Sequence, residues 1–184
     1  MVGVARRAAG DGRSRYGRGM TNDAARDLLD WLVQQPTASR HSLYNTLAFM
    51  HSPRRATDAS RAALAPIATL VEQIEDILYL DVELGDLGGP VNGSFRLITR
   101  TLLISGEFTV PANLYDSATA SATAYSRAGI RSVTVSDVPS VEGADKPWPT
   151  GVDVLVEGDD WQVRFPRRRA RGAELGKLIP TLLT

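Results

Sequence analysis

The chain has no cysteine, which excludes disulfides, thiolate nucleophiles and thiolate metal ligands together. Nor does it have an excess of either charge, since Lys and Arg total 21 and Asp and Glu also total 21. Without a net field, binding to nucleic acid or anionic lipid has to come from a local cluster of charges. No apolar run reaches the roughly 20 residues of a bilayer-spanning helix, and the first residues lack the apolar core of a secretory signal. These absences lead us to expect a cytoplasmic protein in a reducing compartment. Also missing are a Gly-rich phosphate loop between strand and helix, a Gly-Xaa-Ser-Xaa-Gly elbow and an HExxH pair. The expectation is therefore of no enzyme, no cofactor and no metal. What remains is ordinary for a folded domain: hydrophobic residues at 43% and charged residues at 23% are sufficient for a core and far from the composition of disorder.

Residues 1–20 read as a flexible basic arm, MVGVARRAAGDGRSRYGRG before Met20. Because Met20 stands directly before TNDAARDLLDWL, an overextended gene start is the alternative reading of the arm. Residues 21–76 read as a helical region. From Asn22 to Gln35, Ala25, Leu28, Leu29, Leu32 and Val33 form one amphipathic stripe, capped by Thr21 or Asn22 and closed by Pro36. A second helix is expected from Ser39 to His51, with Leu43, Leu47 and Met50 on one side and Pro53 ending it. A third starts near Asp58 and carries Ala63, Ile67, Leu70, Val71, Ile74 and Leu78, with Glu72, Glu75 and Asp76 on its polar face and Pro66 tolerated near its start.

From Leu80 the apolar period changes to two, as in half-buried strands. GPVNG supplies a turn, and Gly106 divides TLLISGEFTV into two short strands. Asn113 to Ser126, rich in Ala, Ser and Thr, reads as a loop with one helical turn. IRSVTVSDV resumes the β pattern, PSVEGADKPWPTG is a loop, and VDVLVEGDDWQVRF is a hairpin turning at Gly158 and Asp159 and stopped by Pro166. Ala173 to Leu183 is a final helix with Leu175, Leu178, Ile179, Leu182 and Leu183 on one stripe, its last turn disturbed by Pro180.

Short antiparallel strands, the return hairpin GVDVLVEGDDWQVRFP and one terminal amphipathic helix give residues from about 77 to 183 a resemblance to the bacterial pleckstrin-homology-like domains, which share their architecture with GRAM domains. GSFRLITRTLLI is similar to the family's second and third strands with their Thr-Asp-Arg-Arg-like corner, although Thr99, Arg100 and Thr101 lack the acidic residue. YSRAGIRSVTV is similar to the later Ile-Xaa-Ser-Val segment, and ALAPIATLVEQIEDIL to a helical lead-in of some members. The resemblance implies an α+β chain whose N-terminal helices precede a bent, antiparallel, seven-stranded barrel over residues 77–184, capped by the C-terminal helix. It further implies a noncatalytic binding module for protein–protein or peripheral surface contacts. The helices before Ile77 lie outside the match, and we expect them to serve packing or self-association into a homo-oligomer.

Arg167, Arg168, Arg169 and Arg171 are the sharpest local charge in the chain. Cations at a helix start oppose its dipole, so these arginines are either a solvated elbow or a contact for an anionic partner. Trp148, between Pro147 and Pro149, is either a rigid anchor for a protein partner or a ring folded back on the core. The loop GDLGGPVNG, where related phosphoinositide binders place basic residues, has none. That weakens a lipid headgroup site while leaving an anionic lipid surface as a partner class behind protein. Arg96 and Arg100 read as solvated, and His41 and His51, placed on the second helix, are too far apart to share a metal in the i, i+4 manner. The alternative function is nucleic-acid binding by the arm and helices, which the poorly basic SRHSLYNTLAFMH supports badly as a recognition helix.

Overall fold

The computed structural model describes residues 21–36, 41–86, 89–113, 115–138, 151–166 and 172–183. Helix α1 (Asn22–Gln34) begins where the Thr21 hydroxyl accepts the Ala24 N–H at 3.3 Å, and it buries Leu28, Leu32 and Val33. Helix α2 (Leu43–Met50) is capped by Ser42, whose hydroxyl accepts the Asn45 N–H at 3.1 Å. His41 precedes that cap and His51 is the C-cap, so the histidines flank the helix instead of lying on it. Helix α3 (Pro53–Leu70) starts before the expected Asp58, because Pro53 opens it at a position that needs no N–H donor. Pro66 lies inside the helix near its end, where it removes one ladder donor, and Val71 is the C-cap. Ile74 and Leu78, expected on this helix, therefore fall in a separate turn of 3-10 helix (Ile74–Asp76) and in the first strand.

Four strands follow as an antiparallel meander: β1 (Ile77–Leu84), β2 (Val91–Thr99), β3 (Leu102–Val110) and β4 (Thr119–Ser126). The β2–β3 corner is tight because the buried Thr99 hydroxyl accepts the N–H groups of Thr101 and Leu102, at 3.2 and 2.8 Å.

Strand β3 runs unbroken through Gly106, contrary to the expected turn. Across β2 and β3 the register pairs Phe95 with Gly106 and Gly93 with Phe108. Each glycine leaves the space its facing ring occupies: a Cβ at Gly106 would meet the Phe95 ring, and one at Gly93 the Phe108 ring.

Strand β4 lies within Asn113 to Ser126, where a loop was expected. Its alternation is between methyls and hydroxyls, a contrast too weak in hydropathy to reveal a strand. Ala118, Ala120, Ala122 and Ala124 pack against the helix-side core. Their small size suits α3, which lies over β3 and β4.

The second sheet, in the order β5-β6-β7, contains β5 (Ser132–Ser136) and the expected hairpin of β6 (Asp153–Glu157) and β7 (Gln162–Phe165). Helix α4 (Gly172–Leu178) runs into a 3-10 turn (Ile179–Thr181) that contains Pro180. The class is α+β, and among the described residues seven strands are divided four and three between two antiparallel sheets.

Two cores lie on opposite faces of the first sheet. The helices cover one face through Leu28, Leu64 and Ile67, packed in a single cluster with Leu80, Phe95, Leu97 and Ile104. On the other face Tyr79, Ile98 and Leu103 meet Val154, Val156 and Phe165 of the second sheet with Leu175 and Leu182. Leu178 and Ile179 pack against that cluster too, whereas Leu183, expected on the same stripe, is exposed. Tyr79 meets Phe165 edge to face with centroids 5.9 Å apart, and Tyr125 stacks on Trp161 at 4.7 Å.

One exposed ion pair steadies the β6–β7 hairpin. Arg131 donates from Nε and Nη2 to the two carboxylate oxygens of Asp159, at 2.8 and 3.0 Å. The hydrogen bond, then the charge, of Arg131 hold the Asp159 carboxyl below its ordinary range. A depressed folded-state value stabilises the fold above the unfolded pKa of about 3.9, and the contribution is lost as pH falls through the folded value. Arg131→Ala is expected to return the Asp159 titration, followed by carboxyl-carbon NMR, to the ordinary range. An unchanged midpoint would rule out the pair as its cause.

Candidate functional site

The face of the first sheet opposite the helices changes character along its strands. The register aligns Tyr79, Ile98, Leu103 and Tyr125 as an apolar row, which the second sheet covers. The next row is Asp81, Arg96, Ser105 and Thr123, followed by Glu83, Ser94, Glu107 and Ser121, then by Asn92, Thr109 and Thr119. Successive rows are about 7 Å apart, two residues of strand rise. Hydropathy thus falls in steps from the buried end of the face to its open end.

Charges on this face are unevenly satisfied. Arg96 Nη1 lies 3.8 Å from the buried Asp81 carboxylate and 3.5 Å from that of Glu83. The same nitrogen is 3.4 Å from Ser94 Oγ. Toward the open end, Thr109 donates its hydroxyl to Asn92 Oδ1 at 2.8 Å. Glu107 is exposed, and among the described residues none pairs with its carboxylate. Glu107, at the open end, is thus a carboxylate of this face with no pairing cation among the described residues.

The open end forms a groove of about 670 Å³ lined by Glu83, Asn92, Ser94, Glu107, Thr119 and Ser121, among others. Carboxylates and hydroxyls on a hydrogen-bonded sheet are pre-positioned acceptors, suited to ammonium, guanidinium and amide donors. Among the described residues, none of the side chains lining the groove is cationic.

Arg167, Arg168, Arg169, Arg171 and Trp148, the contact residues expected from sequence, lie outside the described residues. Arg96 and Arg100 are not brought together. Arg96 sits half-buried among carboxylates, while Arg100 occupies the β2–β3 corner, its N–H donating to the Asp76 carbonyl at 3.1 Å and its Nε 3.5 Å from the Asp76 carboxylate. Sequence reasoning passed over Arg127, whose Nη1 donates to the carbonyls of Thr99 and Arg100, both at 3.1 Å. Its Nη2 donates to the Thr181 carbonyl, so this guanidinium ties the corner to the C-terminal turn. Glu83, Ser94 and Glu107 were also missed as a group, because they meet only in the register of three strands.

No protein-family model matches the chain, and neither a curated protein nor a solved structure matches it.

Proposed function

We propose that the protein is a noncatalytic binding module, pleckstrin-homology-like in its order of strands, whose polar sheet face holds a cationic segment of a protein partner. The observation that carries this reading is the acceptor-lined groove, in which Glu107, without a cationic partner among the described residues, stands among hydroxyls beside Glu83. Four strands, then three, then a helix covering the second core is the order that the seven-stranded resemblance implies. A protein segment is favoured over an anionic lipid surface here because the exposed carboxylates would repel the latter. The helices contribute by fixing the sheet from its other side, so that the groove is presented on a rigid floor.

The test is titration of a lysine-rich peptide by calorimetry, comparing wild type with the double substitution Glu83→Gln, Glu107→Gln. We expect about a tenfold loss of affinity in the double variant at low salt, and a smaller difference at physiological ionic strength, because exposed pairs are screened. Equal affinity for both proteins would refute the groove as the binding surface.

A further inference from the structure

Strand β4 is the outer strand of its sheet, and its unpaired edge can be read residue by residue. The Arg127 N–H donates to the Thr101 carbonyl at 2.8 Å, one step beyond the Leu102–Ser126 pair. Hydrogen-bonded pairs alternate along an antiparallel ladder. Thr119, Ser121, Thr123 and Tyr125 thus direct their backbone groups to β3, and Ala120, Ala122 and Ala124 direct theirs outward. The Ser121 carbonyl, which a Cβ at Gly106 would strike, confirms the phase. Among the described residues nothing bonds to the outward groups of these alanines.

Natural edges of this kind are usually blunted by charge, proline or a bulge. Here the stretch SATASATAYS contains neither charge nor proline, and β4 pairs with β3 without a shift of register.

We infer that β4 receives an extended segment of a partner protein as a fifth strand, with cationic side chains on every second residue. This rests on the cationic-segment reading above and gives it a binding mode. A residue placed opposite Ser121 lies two strand spacings, about 10 Å, from Glu107. Ser121 is small enough for a Lys or Arg side chain to cross it and reach that carboxylate. The intervening residues of the segment fall on the helix side beside the β4 alanines, where small or β-branched apolar side chains fit.

A second copy of this chain suits the edge less well. Because α3 lies over β3 and β4, two-fold pairing of β4 strands would set the two α3 helices about 5 to 10 Å apart, at or below the 8–10 Å of packed helices. A single strand carries no such helix.

The test uses a capped nonapeptide alternating lysine and valine, titrated into the full chain by fluorescence anisotropy. Two further peptides carry backbone N-methyl groups, one on the lysines and the other on the valines, with charge unchanged. Outward groups recur on every second β4 residue, so one methylation phase is expected to weaken binding about tenfold or more and the other to leave it nearly intact. Ala122→Pro is expected to weaken the unmodified peptide similarly while keeping the circular dichroism spectrum, since that N–H points away from β3. If both methylated peptides bind like the parent, strand addition is wrong. In that event the Glu83→Gln, Glu107→Gln variant decides the parent reading, which survives if affinity still falls and is lost with strand addition if it does not. Light scattering that shows a dimer dissociated by Ala122→Pro, with peptide binding unaffected, would assign the edge to a second copy and overturn the inference.

Discussion

Gly106→Ala is expected to destabilise the chain by about 3 kcal/mol, the upper end of what overpacking a well-packed core costs. The added methyl would meet two things: the edge of the Phe95 ring and the carbonyl oxygen of Ser121. The ring can move at some cost to the core around it. The carbonyl cannot, because it belongs to the β3–β4 ladder, and shifting it breaks the sheet where α3 rests. In a Phe95→Ala background the same substitution should therefore retain part of its penalty, the part due to the backbone. Gly129→Ala is the matched control, since a Cβ there has nothing within 4 Å, and surface changes of this kind stay within about 0.5 kcal/mol. Urea unfolding measures all three, and a midpoint for Gly106→Ala within error of wild type would show that the glycine does not hold this space.

Phe165→Ala should cost about 3–5 kcal/mol, the range for removing a fully buried aromatic side chain. Its effect is also expected to be local. Phe165 belongs to the core between the second sheet, α4 and one row of the first sheet, whereas α1, α2 and α3 belong to the core on the opposite face. Native-state hydrogen exchange should then show protection lost in β6, β7 and α4 and kept in α1 and α3. Equal loss in both regions would mean that the two cores unfold as one unit.

The parts of this fold visible in the sequence are those with strong hydropathy contrast. The stripe of α1 and the alternation of the β6–β7 hairpin separate apolar from polar residues sharply and lie where they were expected, while the last helix is shorter than its leucines suggest, ending at Leu178 with Leu183 exposed. The third helix shows how a continuous pattern misleads: Ile74 and Leu78 prolong the spacing of Ile67 and Leu70, although the chain has left the helix at Leu70. Strand β4 and the uninterrupted β3 were hidden for the opposite reason. Alanine against serine or threonine gives little contrast, and a glycine opposite a phenylalanine looks like a break until the partner strand is known. The candidate groove inherits both difficulties, since Glu107 and Ser121 become neighbours only once β3 and β4 are both strands.

Both sheets are meanders in which every strand pairs with its neighbour in the chain. During synthesis, residues up to Ser126 can therefore complete α1, α2, α3 and the first sheet before the β6–β7 hairpin exists. The contacts of Tyr79, Ile98 and Leu103 with Phe165 and Leu182 come last, as does the reach of Arg127 to Thr181 across 54 residues. Until then the apolar row that will receive the second sheet stands in water. A nascent chain stalled in that interval would display its best surface for misassociation, and rapid arrival of the last third of the sequence protects it as much as any contact in the finished fold.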